Sequence, residues 1–139
     1  MSNTVFQKIA VIGAGTMGSG IAAQIANAGH DVMLFDLPAR DGDDKSPAEL
    51  AIDRLMVSDP PQLMHKRNAE RITTGTISDD FDALADCDWI IEAVVERLDI
   101  KKDLYRRLDA TIGPDCIVSS NTSTIPISLL VEDLSLIHI

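Results

Sequence analysis

The stretch Lys8–Gly29, "KIAVIGAGTMGSGIAAQIANAG", decides the fold. It opens with "KIAVIG", a short apolar, β-branched run ending at Gly13, the pattern of a strand buried on both faces. The period then changes. From Thr16 onward Met17, Ile21, Ile25 and Ala28 recur at helical spacing, and Gly29 stands where a helix C-terminal cap belongs. Between strand and helix lie Gly13, Gly15 and Gly18, spaced G-x-G-x-x-G. Glycines are common, so the spacing alone is weak evidence. The strand before it and the helix after it supply the context in which the spacing has a mechanism. Gly13 makes the tight turn, Gly15 lets backbone approach a pyrophosphate, and Gly18 lets the helix pack close to the strand. The helix N-terminus offers free N–H groups and a partial positive charge to phosphate.

The next strand, "DVMLFD" (Asp31–Asp36), ends in a carboxylate about 20 residues beyond the glycine loop, where the dinucleotide fingerprint requires one. Asp36 is suited to accept both ribose hydroxyls of an adenosine and to repel a 2′-phosphate, which favours NAD over NADP. FAD uses a similar fingerprint, so the later segments are needed to settle the cofactor. A polar loop follows (Leu37–Pro47). "PAELAIDRLMVSD" and "PPQLMHKRNAERI" read as two helices separated by Pro60–Pro61, and "RITTG" as a short strand. "DWIIEAVVE" (Asp88–Glu96) reads as a fourth strand, and "LDIKKDLYRRLDATI" as an amphipathic helix stopped by Gly113–Pro114. "DCIVSSN" reads as a fifth strand, and "IPISLLVEDL" begins another helix with Pro126 in its first turn. Strands alternating with helices imply βαβ units. The expected fold class is α/β, a Rossmann-type doubly wound parallel sheet.

The bulk properties narrow the function. With 139 residues the chain holds about one domain. A net charge of −10 argues against nucleic acid, which selects a basic surface. No apolar run approaches the roughly 20 residues of a membrane span. The start "MSNTVFQK" lacks the features of a signal or transit peptide. The two cysteines, Cys87 and Cys116, have no metal-ligand spacing and suit a reducing compartment. A cytoplasmic location is the expectation.

In an open parallel sheet the ligand lies beyond the carboxyl ends of the strands, where strand order reverses. Two further strand ends should therefore face the cofactor. One is "EAVVERLDIKK", with Glu92, Val94, Val95, Glu96 and Lys101. Glu92 falls inside an apolar run and needs a buried partner, as a capping or turn-stabilising carboxylate would have. Lys101 is free to pair with Glu96 or to stay solvated. The other is "SSNTSTIP", where Ser119, Ser120, Asn121, Thr122 and Ser123 exceed what a single helix cap before Pro126 needs. Lys66, Arg67 and Arg71 read first as a solvated charge run, and second as a contact for a ligand phosphate.

Taken together, "IAVIGAGTMGSGIA", Asp36, "CDWIIEAVVERLDIKKDLY" and "IVSSNTSTIPIS" resemble the N-terminal domain of the 3-hydroxyacyl-CoA dehydrogenases of fatty-acid β-oxidation. "LMHKRNAERIT" resembles the longer bacterial-type members, in which this domain is part of a larger polypeptide. The resemblance implies an NAD-binding Rossmann domain followed by an α-helical domain that dimerises and closes over the acyl chain. It implies hydride transfer from C3 of an (S)-3-hydroxyacyl-CoA to nicotinamide. It also implies that Gly13, Gly15, Thr16, Met17 and Gly18 contact NAD and that Asp36 holds the adenosine ribose. Val94, Val95 and Glu96 would line the nicotinamide side, with Lys101 nearby. Asn121 would shape its turn, and Ser123 would sit beside both nicotinamide and substrate hydroxyl, in a supporting catalytic role.

The family's general base is a His in a segment reading H-F-F-N-P, and this sequence contains no such segment. Alcohol oxidation needs a base, because the hydroxyl proton leaves as the hydride does. His30 lies before the second strand, His65 in a mixed-charge segment, and His138 follows Ser123 too soon and lacks the Phe-Phe-Asn-Pro. The ending "LSLIHI" is a permissible translation of a transposon end used in sequencing-library preparation. Residues 1–134 are therefore expected to be an incomplete NAD-binding domain, and Ser135–Ile139 a non-native tail. The expected fragment binds NAD and lacks turnover, while the full-length enzyme takes an acyl-CoA and forms a homodimer. Two alternatives stand beside it. One is a different NAD(P)-dependent 2- or 3-hydroxyacid dehydrogenase, against which Asp36 and "SSNTSTIP" count and which tight NADP binding would revive. The other is a non-catalytic NAD-binding module.

Overall fold

The computed structural model describes residues 6–132 and 134. Five strands form one all-parallel sheet in the order β3-β2-β1-β4-β5. They are β1 (Ile9–Ile12), β2 (Val32–Asp36), β3 (Ile72–Thr76), β4 (Trp89–Glu92) and β5 (Ile117–Ser120). The helices are α1 (Thr16–Asn27), α2 (Pro47–Val57), α3 (Leu98–Thr111) and the short α4 (Ile127–Leu130). From β1 the chain winds outward through β2 to β3, then crosses back to place β4 on the other side of β1. Strand order thus reverses between β1 and β4. In register, Ile12 stands opposite both Phe35 and Glu92, and Glu92 opposite Ser120, so all the carboxyl ends face one edge.

Alternation along the strands sorts the core into two layers. Ile9 and Val11, with Val32, Leu34 and Ile91, bury against Ala22, Ala23 and Ala26 of α1 and Ala48, Ala51 and Leu55 of α2. Small alanines let these helices lie close to the sheet. Ala10 and Ile12, with Phe35, Ile90 and Val118, turn to the opposite face. There they meet Leu104, Tyr105 and Leu108 of α3, together with Phe81 and Leu84 of a 3-10 turn. Helices on both faces complete the doubly wound Rossmann-type architecture.

The start of α2 follows from local chemistry. The Ser46 hydroxyl accepts from the Glu49 N–H at 3.3 Å, the Glu49 carboxylate accepts from the Ser46 N–H at 2.7 Å, and Pro47 opens the helix. Such a capping box contributes about 1 kcal/mol.

Three elements differ from the sequence expectation. "PPQLMHKRNAERI" is not a helix but a run of bends leading into a 3-10 turn at Lys66–Arg71. The Asn27 side chain donates to the Gln62 carbonyl and accepts from the Met64 N–H, and the His65 ring accepts from the Arg67 N–H. These side chains capture backbone groups that a helix would need. β4 ends at Glu92 rather than Glu96, because the Glu92 carboxylate folds back onto the Val94 N–H. The helix expected from Ile125 is α4, a single turn among the described residues. His138 and the proposed tail Ser135–Ile139 lie outside the described residues. Among those residues, no helix is long and apolar enough to cross a membrane.

Candidate cofactor-binding site

The three glycines of the loop turn out to answer to different demands. Gly13 has φ +109°, and a Cβ there would stand 2.4 Å from the Ala93 carbonyl oxygen. A Cβ on Gly18 would stand 1.7 Å from the Gly13 carbonyl oxygen. The protein's own packing forbids a side chain at both. Gly15 is different. Its backbone is extended, φ −71° and ψ −168°, which any residue adopts, and an added Cβ would have nothing within 4 Å. Neither strain nor packing asks for glycine there. What its missing side chain leaves is open space directly over the N-terminus of α1, a cradle that a Cβ would fill.

That space belongs to a cleft of about 660 Å³ at the carboxyl edge of the sheet, between β1 and β4. Gly13, Gly15, Thr16 and Met17 form its floor, Asp36 and Leu37 one side, and Val94, Val95, Glu96 and Asn121 the other, with Ile77 and Ile100 adding apolar wall. Gly15 is the N-cap of α1 and supplies no side chain to cap it, and the first turn carries no acidic residue. The first N–H groups of α1 therefore have no side-chain cap among the described residues and suit an anion. The loop itself is gripped from both sides. The Ala14 N–H donates to an Asp36 carboxylate oxygen at 2.6 Å, and the Arg54 guanidinium of α2 donates to the Ala14 carbonyl at 3.1 Å. The other Asp36 oxygen accepts from the Leu37 N–H, also at 2.6 Å. Asp36 thus shapes the loop as well as facing the cleft, and each oxygen keeps a further lone pair for a ribose hydroxyl.

At the other end of the cleft the central group is Glu92, fully buried. One carboxylate oxygen accepts from the Lys101 ammonium (3.1 Å), the Tyr105 hydroxyl (3.1 Å) and the Ser120 hydroxyl (2.7 Å). The second accepts from Lys101 (2.9 Å) and the Val94 N–H (3.0 Å). The Glu92 carbonyl accepts from the Asn121 N–H at 2.8 Å. Lys101, only 1% exposed, also reaches a Glu96 oxygen at 3.1 Å. The other Glu96 oxygen accepts from the Thr122 hydroxyl and from the Thr124 hydroxyl at 3.1 Å. The Thr122 and Lys101 hydrogen bonds hold the Glu96 carboxyl well below its usual range, at about 2. Burial, reinforced by the Glu92 charge, pushes the Tyr105 hydroxyl above its ordinary value, so it is a donor and not a base.

Of the residues singled out from sequence, Gly13, Gly15, Thr16, Met17, Asp36, Val94, Val95, Glu96 and Asn121 come together on the cleft wall. Gly18 lies behind it, in the contact between α1 and the loop. Lys101 is neither solvated nor on the wall but buried beneath it. Ser123 is exposed, is not among the residues that line the cleft, and makes no hydrogen bond among the described residues. Lys66, Arg67 and Arg71 precede β3 and are not among the residues that line the cleft. Sequence reasoning missed Arg54 and Tyr105 as parts of the site, whereas Ser120, read from the strand end, does join it through Glu92. Arg54 and Tyr105 sit in ordinary amphipathic helices, and nothing in their local pattern marks them.

Comparison with known proteins agrees with this geometry. The family model for "3-hydroxyacyl-CoA dehydrogenase, NAD binding domain" matches residues 8–136. A "putative fatty acid oxidation complex trifunctional enzyme" of Rickettsia felis is 42% identical over 135 residues, which are 96% of this chain and 19% of that protein. A "probable 3-hydroxyacyl-CoA dehydrogenase" of Deinococcus radiodurans is 41% identical over 130 residues, covering 93% of this chain and 38% of that one. The crystal structure of 3-hydroxybutyryl-CoA dehydrogenase from Escherichia coli K12 superposes with a TM-score of 0.77 at 33% identity, covering 94% of this chain and 27% of that chain. The chain therefore spans well under half the length of these relatives. With the glycine cradle, the acidic β2 end and the matched family model in agreement, the chain belongs to the 3-hydroxyacyl-CoA dehydrogenases as their NAD-binding domain.

Proposed function

We propose that this chain is the cofactor-binding part of an enzyme that oxidises (S)-3-hydroxyacyl-CoA to 3-oxoacyl-CoA in fatty-acid β-oxidation. The observation that carries the reading is Gly15, a glycine that neither backbone strain nor protein packing requires. It leaves a phosphate-sized cradle over a helix N-terminus with Asp36 on one side and Glu96 on the other. Bound NAD would supply the hydride acceptor. The chain's residues bind and orient. The first turn of α1 takes the pyrophosphate, Asp36 the adenosine ribose, and Glu96 with Asn121 the nicotinamide half. Val94, Val95 and Ile100 exclude water from one wall. Ser123, exposed two residues beyond Asn121, is the residue to which the resemblance assigns contact with a substrate hydroxyl. The proton of that hydroxyl needs a base, which the resemblance assigns to a His in an H-F-F-N-P segment outside these 139 residues.

Relatives named as a fatty acid oxidation complex support the β-oxidation setting. The acyl-CoA substrate and a homodimer belong to the longer polypeptide. Isothermal calorimetry of the 139-residue chain with NAD tests the reading. Binding with no turnover of a 3-hydroxyacyl-CoA is expected. Absence of NAD binding overturns it, and turnover by the chain alone overturns the placement of the base.

A further inference from the structure

The Glu92–Lys101–Glu96 cluster is joined by two ion pairs through Lys101. Its members come from three segments that meet at the nicotinamide end of the cleft: the end of β4 and the loop after it, α3, and, through Ser120 and Thr122, the end of β5 and its following loop. Two carboxylates share one ammonium. Glu92 is closed off from solvent and takes both of its oxygens to Lys101, at 2.9 and 3.1 Å, whereas Glu96 meets Lys101 through one oxygen only and is 36% exposed. Nearby exposed charges cancel among themselves, Arg97 with Asp99 and Lys102 with Glu132. The cluster's surplus is one negative charge, and it resides on the member lining the cleft.

A nicotinamide ring is cationic when oxidised and neutral when reduced. A fixed negative charge at the ring's end of the cleft therefore binds the two forms unequally, and more strongly so in a low-dielectric wall than in water. Resting on the NAD reading above, we propose that Glu92 is a positioning residue that sets the preference between oxidised and reduced cofactor: it occupies Lys101, so that Glu96 keeps its negative charge toward the cleft. Without Glu92 the ammonium would belong to Glu96 alone, and the surplus would vanish.

The test is the ratio of dissociation constants for NADH and NAD+, measured by fluorescence and calorimetric titration of the 139-residue chain. Glu92→Gln keeps the shape and removes the charge. It is expected to weaken NAD+ relative to NADH by about tenfold, the order of a unit charge acting through protein. A variant that weakens both forms by the same factor overturns the proposal, because loosened packing alone acts on both alike. Glu96→Gln lies in an exposed loop and decides the matter should Glu92→Gln fail to fold by thermal melt. It removes the surplus directly and must move the ratio in the same direction, and an unchanged ratio overturns the proposal. Tyr105→Phe removes one hydrogen bond to Glu92 and no charge, and is expected to keep the ratio within about twofold. A shift as large as that of Glu92→Gln would overturn the electrostatic account. If the parent chain binds neither form, the NAD reading itself falls first.

Discussion

The β2 side of the cleft and the β4–β5 side are built by different means. On the β2 side one carboxylate, Asp36, meets two backbone N–H groups, and the glycine loop does the rest with main-chain atoms. On the β4–β5 side a buried carboxylate gathers an ammonium, two hydroxyls and a backbone N–H from three segments. The first arrangement is local and tolerates side-chain change wherever space allows. The second is a closed network in low dielectric, where every member depends on the others. Changes on the two sides should therefore fail in different ways.

Lys101→Met is the severest expected break. It leaves the buried Glu92 carboxylate without its cation, and loss of one partner of a buried pair costs about 3–5 kcal/mol. Denaturant melts would show it, and a loss below 1 kcal/mol would mean the network is dispensable. Gly18→Ala follows, at about 3 kcal/mol, because its Cβ would overlap the Gly13 carbonyl and the loop cannot yield without moving α1. Gly15→Ala makes the sharpest contrast. The melting temperature should stay within about 2 °C of the parent, while NAD affinity falls about 100-fold, because the methyl fills the phosphate cradle. Should Gly15→Ala instead unfold the chain, the separation of packing glycines from the ligand glycine is wrong. Tyr105→Phe should cost about 1 kcal/mol, one hydrogen bond to a carboxylate that keeps other donors.

The smallest effect is that of pH on Glu96. Its folded-state value of about 2 lies below the ordinary 4.5, so its stabilising contribution is complete above about pH 4.5 and is lost as pH falls through about 2. NMR titration of the Glu96 side-chain carboxyl would check this. A midpoint near 4.5 would mean the Thr122 and Lys101 contacts are not held in solution.

Much of the β2 side was legible in the sequence. Gly13, Gly15, Gly18 and Asp36 are read from spacing, because a strand, a turn and a helix start are local events and their residues are neighbours in the chain. The strands β1, β2, β3 and β5 were legible for the same reason. The segment after Pro60 was not, because Asn27, far earlier in the chain, captures its backbone groups. Lys101 illustrates the limit on the other side. Its sequence setting allowed a pair with Glu96 or solvation; the structure makes that pair, and also buries the ammonium against Glu92, which no local pattern marks.

The sequence by itself determined the α/β class, the phosphate cradle and the acidic partner for a ribose, since each depends on residues within a turn or one βα unit of each other. It also marked Glu92 as a carboxylate in need of a buried partner. Only the tertiary structure decided which partners those are and that Glu96 ends up carrying the exposed charge. The reason is geometric. β4 and β5 are adjacent in the sheet and α3 packs across them, so Glu92, Tyr105 and Ser120 meet around one carboxylate although they are spread along the chain. No periodicity or spacing encodes that meeting, which exists only once the crossover from β4 through α3 to β5 has closed.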